Sequence, residues 1–298
     1  MTSWYEATAR QRIAGLLDPD TFAEILRPED RITSPHLREL GAPAAFDDGV
    51  VVGRGLLAGR PVLVAAQEGA FMGGAVGEVH GAKITGLLER AMDERPAAVL
   101  LLLETGGVRL HEANAGLIAV SEIMRAILAV RAAQIPVIVL NGGRYGVFGG
   151  MGIAASLCDA IVMSEEGRLG LSGPEVIETT MGVEEFDASD RALVWRTVGG
   201  KNRYILGEAA TLVSDDIAEF RAAAAVLVDA ALPLDLPEVE AEHAMLRERL
   251  ERFSDIGDAQ EIWARLGIAS PETLPILDSD TFLRVTEGKA VRRKGDAA

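Results

Sequence analysis

Cysteine is almost absent from this sequence, because Cys158 is the single one among 298 residues. One thiol cannot form a disulfide within the chain, and no Cys-x-x-Cys pair is present to hold zinc. Cys158 ends the small and apolar run "FGGMGIAASLC", so we interpret it as a buried hydrophobic residue rather than a nucleophile. A chain without internal disulfides fits a cytoplasmic location.

Long apolar runs and aromatic residues are also scarce. No stretch approaches the roughly 18 apolar residues that a membrane-spanning helix needs. The N-terminal sequence "MTSWYEATARQRIAGLL" carries charges and lacks the layout of a signal peptide. With aromatic residues at 5% of the chain, the core must be built mainly from small aliphatic side chains, and we expect no membrane partner.

Positive charge is in short supply. Against 45 Asp and Glu residues the chain has 29 Lys and Arg, which gives a formal net charge of −16. A surface this acidic repels nucleic acid and anionic lipid, so we expect neither as a partner. An acidic protein would need a local basic patch, or another subunit, in order to dock.

Several common motifs are missing as well. The chain has no G-x-x-x-x-G-K-[ST] loop, and no G-x-G-x-x-G opens a helix after the first strand. It also lacks the G-x-S-x-G and H-E-x-x-H patterns. These absences speak against the usual nucleotide-binding loops.

What the chain does contain is a repeated order of buried strand, glycine loop and helix. The predicted strands are two within 49–68, joined at Ala58-Gly59, and single strands at 97–104, 135–141 and 160–164. The predicted helices are 78–94, 111–133 and 150–158. This alternation indicates an α/β protein whose mostly parallel sheet has helices on its faces.

We predict a single domain over residues 1–298. A helical lead-in at 1–48 precedes a core at 49–231, and a proline-broken linker with C-terminal helices occupies 232–298. The linker is expected at 232–240, and the helices at 239–253 and near "AQEIWARLGI". We expect these helices to form a partner surface.

Three glycine-rich loops each stand between a strand and a helix: "FMGGAVGEVHG", "LETGGVRLHE" and "GGRYGVFGG". Glycine lets a ligand approach main-chain N–H groups, and the start of a helix has unpaired N–H groups and partial positive charge. Such a loop suits either a phosphate or a carbonyl oxygen that becomes negative during a reaction. One glycine pair can serve packing alone, but three equivalent loops favour a functional role.

Taken in order, these segments resemble the carboxyltransferase subunits of acyl-CoA carboxylases, which belong to the crotonase superfamily. The resemblance covers roughly residues 7 to 215. Within that family, the lack of zinc cysteines and the segment "VEEFDASDRALVWRTVGGKNRY" are most similar to the beta subunits of biotin-independent malonate decarboxylases. The resemblance implies a crotonase-like fold of repeated ββα units with a mostly parallel sheet.

The resemblance also implies an activity: decarboxylation of malonyl-S-acyl carrier protein to acetyl-S-acyl carrier protein. Backbone N–H groups would hold the enolate, one from Gly106 or Gly107 and the other from Gly150, with Gly149 beside it. Glu175 stands where some crotonases have a catalytic glutamate. Water or a residue of a partner is an equal candidate for the proton donor.

Five further residues are candidates for substrate binding: Arg109, Lys83, Lys201, Met72 and Phe148. Arg109 would hold a carboxylate or phosphate, or else form a surface pair with a nearby glutamate. The two lysines would meet phosphates of the carrier arm, or else be solvated. Met72 and Phe148 would line either the acyl slot or the core.

His80 and His111 lie near helix starts beside glycine loops. Histidine can move protons near neutral pH. Capping or packing is the commoner role at such positions, and we favour it for both.

The resemblance further implies partners: a homologous gamma subunit, an acyl carrier protein subunit and an acyl carrier protein transferase subunit. The substrate would ride on a phosphoribosyl-dephospho-CoA arm of the carrier, with no tightly bound cofactor, no biotin and no metal. The active site would lie between the beta and gamma subunits.

Three alternatives remain open. A carboxyltransferase subunit of a biotin-dependent acyl-CoA carboxylase would share the pocket and pass the carboxyl group to biotin. A lone crotonase would act on CoA esters by itself, and a non-catalytic scaffold would keep the fold and only bind a partner.

Overall fold

Seven strands form one sheet, in which neighbours in space are also neighbours in sequence. The computed structural model describes residues 2–228 and 231–291. The strands are β1 (Ala23–Glu24), β2 (Val50–Leu57), β3 (Arg60–Gln67), β4 (Ala98–Leu102), β5 (Val137–Asn141), β6 (Ala160–Ser164) and β7 (Thr211–Val213). All five strands expected from the sequence are present, as β2 to β6.

The sheet changes from antiparallel to parallel at β3. The first three strands pair antiparallel, and β3 to β7 pair parallel. Between β2 and β3 the chain turns at Ala58 and Gly59, whose φ values of 50° and 76° are those of a two-residue hairpin turn. The expected α/β class is thereby confirmed.

Twelve α-helices lie within the described residues. They are α1 (Ala9–Leu16), α2 (Pro35–Glu39), α3 (Glu78–Glu94), α4 (Asn114–Ala132), α5 (Gly150–Ser156), α6 (Pro174–Met181), α7 (Arg191–Val198), α8 (Gly200–Ile205), α9 (Ile217–Leu227), α10 (Leu236–Phe253), α11 (Ala259–Arg265) and α12 (Ser279–Thr286). Within 2–228 and 231–291, no helix combines the length and apolar character needed to cross a membrane.

Helices cover both faces of the sheet. One face packs against α3, α4 and α5, and the C-terminal helices α11 and α12 join this core. The other face packs against α1 and α9, where Trp4 stacks on Phe220 with ring centroids 4.1 Å apart. Because both faces are buried, β4 and β5 are apolar along their whole length rather than alternating.

A second layer of strand pairing is reduced to isolated bridges. Parallel bridges join Val76 to Val108, Thr105 to Val147, and Val147 to Leu169. Each bridge lies in a loop that follows a strand of the sheet, so these bridges take the place of the second strand in a ββα unit. They hold the glycine loops side by side at the carboxyl edge of the sheet.

Some boundaries differ from the sequence prediction. The stretch 110–112 forms a 3₁₀ turn and α4 begins only at Asn114, because Ala113 takes a φ of 46° that breaks the helix. The segment 232–240, expected as a linker, becomes helical at Leu236, since Asp235 caps α10 and Pro237 sits in its first turn. The helix α12 was not predicted.

His80 lies within α3 and is fully buried. Its Nδ1 is 3.0 Å from the main-chain oxygen of Asp48, and its Nε2 is 3.0 Å from the amide nitrogen of Gln67. The ring therefore donates through Nδ1 and accepts through Nε2, which requires the neutral form. Burial, with Arg109 nearby, lowers the pKa of His80 from 6.5 to about 3. His80 is thus a packing residue, as favoured from the sequence.

This histidine makes stability depend on pH. The folded pKa is below the unfolded one, so the unfolded chain binds a proton as the pH falls below about 6.5 while the folded chain does not. We expect the free energy of unfolding of the wild type to fall by about 1 kcal/mol more than that of His80→Gln between about pH 7 and pH 5.5. Urea titrations across this range measure the difference.

The matched control is His243→Gln, which replaces an exposed histidine on α10. It should follow the wild-type pH dependence. Parallel curves for His80→Gln and the wild type would show that burial of His80 does not govern this part of the profile.

Candidate active site

The loop after β4 uses the amides of its two glycines internally. The N–H of Gly106 donates to the main-chain oxygen of Gly73 at 2.8 Å. The N–H of Gly107 donates to the hydroxyl oxygen of Thr105 at 3.0 Å, and its φ of 126° is accessible to glycine and few other residues. These two glycines therefore shape the turn, and neither has a free N–H to offer a ligand.

The loop before α5 makes a close approach to this turn. Gly149 has a φ of 64°, and its N–H donates to the main-chain oxygen of Leu171 at 2.8 Å. A Cβ at Gly149 would lie 3.0 Å from the Cα of Gly107, so the two loops touch through bare backbone. Its amide is engaged like those of Gly106 and Gly107.

Two amides beside this contact have no partner among the described residues. The N–H of Val108 follows Gly107, and the N–H of Gly150 follows Gly149 at the first position of α5. Both residues are partly exposed, so the two N–H groups are open to a ligand. Of the four glycines predicted as donors, Gly150 is the one that keeps an unengaged N–H. Sequence analysis missed Val108, since spacing does not tell which amide of "TGGVR" is left over.

The buried side chain of Arg109 fixes the loop after β4, which carries Val108. Its guanidinium is fully buried and lies 2.9 Å from Asp48 Oδ2 and 2.9 Å from Glu112 Oε1. Its own N–H donates to the main-chain oxygen of Val76 at 2.9 Å. Arg109 does pair with Glu112, but the pair is buried rather than at the surface. The charge of Arg109 is neutralised within the chain. Its role is therefore to fix the loop and so to position the amide of Val108.

The carboxylates around Arg109 tie neighbouring segments together. Burial raises the pKa of Asp48 despite the adjacent guanidinium. Glu112 also accepts the N–H of Glu78, the first residue of α3, at 2.6 Å. The ion pairs thus connect the turn before β2, the start of α3 and the loop after β4.

Both candidate lysines are engaged within the chain, and Lys201 also lies 2.6 Å from Glu165 Oε2. The ammonium group of Lys83 donates to the main-chain oxygens of Asp47, at 2.7 Å, and Val50. That of Lys201 donates to the main-chain oxygens of Pro275 and Leu277 at 2.9 and 2.7 Å. Both are almost completely buried. The expectation that they meet phosphates of a carrier arm is therefore corrected. Lys83 bonds the segment at the start of β2, and Lys201 bonds the segment between α11 and α12.

The two apolar candidates have different surroundings. Phe148 is buried in a small cluster with Phe186, Val194 and Val198, so it belongs to the core between α5 and α7. Met72 is half-buried and has a φ of 51° in the loop after β3. Met72 therefore keeps both interpretations, the acyl slot and the core.

Glu175 and His111 are both exposed. Glu175 lies in the first turn of α6, a few residues after the Leu171 carbonyl that binds Gly149. His111 lies in the 3₁₀ turn that follows Arg109. The buried Cys158 is different, because burial raises the pKa of its thiol and makes it inert.

Several exposed apolar side chains lie on the segments that carry or flank the two free amides. We call this set the apolar patch: Leu110, Leu117, Ile118, Ile153 and Leu171. Leu110 is 84% exposed although it is two residues from Val108, and Ile153 lies on α5. Cavities of about 500 and 400 Å³ lie instead along α10, away from the glycine loops. The two free amides belong to partly exposed residues and lie on the same segments as this apolar surface.

The sequence of this chain is similar to those of known proteins. Residues 6–251 match the model of the carboxyl transferase domain. The malonyl-S-ACP:biotin-protein carboxyltransferase MADC of Malonomonas rubra is 44% identical, over 94% of each chain. The acetyl-coenzyme A carboxylase carboxyl transferase subunit beta of Fusobacterium nucleatum is 33% identical, over 60% of each chain.

Solved structures agree with these relatives. A chain in a crystal structure of a Pseudomonas malonate decarboxylase hetero-tetramer with malonate superposes with a TM-score of 0.81 and 43% identity, over 89% of this chain and 97% of that one. The similarity to malonate decarboxylases expected from the sequence is confirmed. By its sequence and its fold, the chain belongs to the carboxyl transferase family.

Proposed function

We propose that this chain is the subunit of a malonate decarboxylase that removes CO₂ from a malonyl group carried as a thioester. The observation that carries the proposal is the pair of unengaged N–H groups of Val108 and Gly150, beside the contact of Gly107 with Gly149. Two of the similar proteins support the substrate class, because the name of one refers to a malonyl thioester and that of the other to malonate.

The chemistry needs a site for negative charge. When the bond between the carboxyl carbon and C2 breaks, CO₂ leaves and its bonding electron pair moves through C2 onto the thioester oxygen as an enolate. Two fixed N–H donors bind that oxyanion more strongly than the neutral carbonyl, and losing one such donor costs roughly 3–4 kcal/mol in known enzymes. C2 then takes a proton and gives the acetyl thioester. The proton comes from Glu175, from water or from a residue of a partner subunit.

The same enolate forms in carboxyl transfer, where biotin enters as the other reactant. The name of the Malonomonas relative includes a biotin protein, which indicates carboxyl transfer. The Pseudomonas structure is named a malonate decarboxylase, which indicates decarboxylation. We favour decarboxylation without biotin or metal, on the phosphoribosyl-dephospho-CoA arm of an acyl carrier protein. Release of CO₂ from malonyl carrier by the purified complex in the absence of biotin protein separates the two. Turnover by the isolated chain on CoA esters would favour a lone crotonase instead.

The open site supports a second subunit. A homologous gamma subunit seated on the apolar patch would exclude water from the enolate and complete the cleft. The acyl carrier protein and its transferase would then be the other members of the complex. Neighbouring solved structures are a hetero-tetramer and a hetero-dimer.

The role of Gly150 is tested by removing its N–H without breaking the helix. Proline is tolerated at the first position of a helix. A Cβ at Gly150 would lie 2.7 Å from Val120 Cγ1, so the change is made together with Val120→Ala. We expect Gly150→Pro/Val120→Ala to lower kcat for CO₂ release by roughly 10²- to 10³-fold in the assembled complex.

The matched variant is Gly150→Ala/Val120→Ala, which adds a side chain and keeps the N–H. Its kcat should stay within about tenfold of Val120→Ala alone, since the donor remains. If both double variants turn over at the same rate, Gly150 does not donate to the enolate. If Gly150→Pro/Val120→Ala assembles with unchanged kcat, the result favours the alternative that this chain is a non-catalytic scaffold.

The apolar patch is tested by placing a charge in it. Ile118→Glu buries a carboxylate under the second subunit, so we expect it to weaken assembly roughly tenfold or more. The control is Leu250→Glu on α10, which is also exposed and lies on the C-terminal helices. Analytical ultracentrifugation of the mixed subunits measures both. Weakening by Leu250→Glu alone would place the partner on the C-terminal helices, as expected from the sequence.

A further inference from the structure

Arg168 differs from the arginines that are almost completely buried in the described chain. Three of these each pair with a carboxylate: Arg12 with Glu104, Arg109 with Asp48 and Glu112, and Arg131 with Asp159. Arg168 is partly buried and forms no salt bridge with a described residue, and its Nε, like that of Arg109, is buried without a hydrogen-bond partner. Burial accordingly lowers the pKa of Arg168. A buried charge without a counter-charge is costly, so its retention calls for a reason.

Two aromatic rings hold the guanidinium in place. It lies 4.9 Å from the centroid of the Trp195 ring and 5.8 Å from that of Phe148. Its Nη2 donates to the main-chain oxygen of Arg144. Stacking on aromatic rings offsets part of the cost of burial, but it leaves the edge of the guanidinium without an anion.

Arg168 is also next to the proposed site. It follows β6 at the carboxyl edge of the sheet, and its main-chain oxygen accepts the N–H of Val147 at 2.8 Å. The chain then runs beside residues 147–149 until Leu171 accepts the N–H of Gly149. The segment that carries Arg168 is therefore bonded directly to the segment that ends in Gly150.

The charges around Arg168 leave room for an anion. Tyr5 and Glu175 lie near enough to raise the pKa of Arg168 and Arg191 near enough to lower it, and the Arg191 guanidinium is 5.1 Å from the same Trp195 ring. Two guanidinium groups thus share one indole in a chain whose net charge is −16. An acidic carrier or an anionic substrate would need such a local concentration of positive charge.

We propose that Arg168 is the anion-binding residue of the substrate cleft, and that the missing counter-charge is an oxyanion brought by the substrate. The planar guanidinium can donate two parallel hydrogen bonds to such a group. The oxyanion has two sources, the free carboxylate of the malonyl group and a phosphate of the carrier arm. The proposal rests on the proposed function, because it assigns a binding role within the same cleft.

Two probes separate the sources. Malonyl-N-acetylcysteamine carries the carboxylate and no phosphate, whereas acetyl-CoA carries phosphates and no free carboxylate. With the assembled complex, we expect Arg168→Met to weaken equilibrium binding of one probe by roughly 10- to 100-fold and to leave the other unchanged. Arg168→Lys should weaken binding of that probe less, since lysine keeps the positive charge and loses only the two parallel N–H donors. Arg125→Met, at an exposed site on α4, is the control for loss of a positive charge.

Kinetics give a second readout. If the malonyl carboxylate is the ligand, its charge disappears as CO₂ forms, so the contact with Arg168 stabilises bound substrate more than the transition state. Arg168→Met should then raise KM for malonyl-N-acetylcysteamine without lowering kcat, whereas Gly150→Pro/Val120→Ala lowers kcat.

Unchanged binding of both probes by an intact Arg168→Met complex would overturn the proposal. A second result would also overturn it: Arg168→Met fails to assemble, while Arg168→Lys assembles and binds both probes normally. The counter-charge would then be a carboxylate of the partner subunit. Because binding is measured at equilibrium, these results can be read even if the wild-type complex releases no CO₂, and that outcome would instead count against the proposed function.

Discussion

The first amides of an α-helix have no carbonyl to bond within the helix. In this chain those of α5 begin at Gly150, directly behind the contact of Gly107 with Gly149 at the carboxyl edge of the sheet. A Cβ at Gly149 would lie 3.0 Å from the Cα of Gly107, and the φ of Gly149 is 64°, so this close approach favours glycine at position 149. Through this contact, Val108 and Gly150 present two N–H groups beside each other, and the proposed chemistry depends on that pair.

The buried charges fix the loops that carry this pair, and the proposal assigns Arg168 to an anion of the substrate. The buried Arg109 is neutralised by Asp48 and Glu112, which fixes the loop that carries Val108. Lys83 and Lys201 are also used inside the chain, by main-chain carbonyls. Arg168 is left without a carboxylate, next to the segment of Gly150. An acidic protein can in this way meet an anionic substrate at one place.

The sequence was sufficient for the elements and insufficient for the donors. Strands β2 to β6 are apolar on both faces, so their positions could be predicted from runs of residues and from the turn at Ala58. The free amide of Val108, in contrast, depends on which neighbours bond to Gly73 and Thr105, and this is decided by tertiary contacts. The burial of Lys83 and Arg109 was missed for the same reason, since both look like helix or loop surface residues in isolation.

The central claim is that the thioester oxygen binds between the amides of Val108 and Gly150. A crystal structure of the assembled complex with a stable malonyl thioester analogue tests it most directly. The account predicts that the oxygen equivalent to the thioester carbonyl lies roughly 2.7–3.1 Å from both nitrogens. An oxygen bound elsewhere, with both amides facing water or partner side chains, would contradict it.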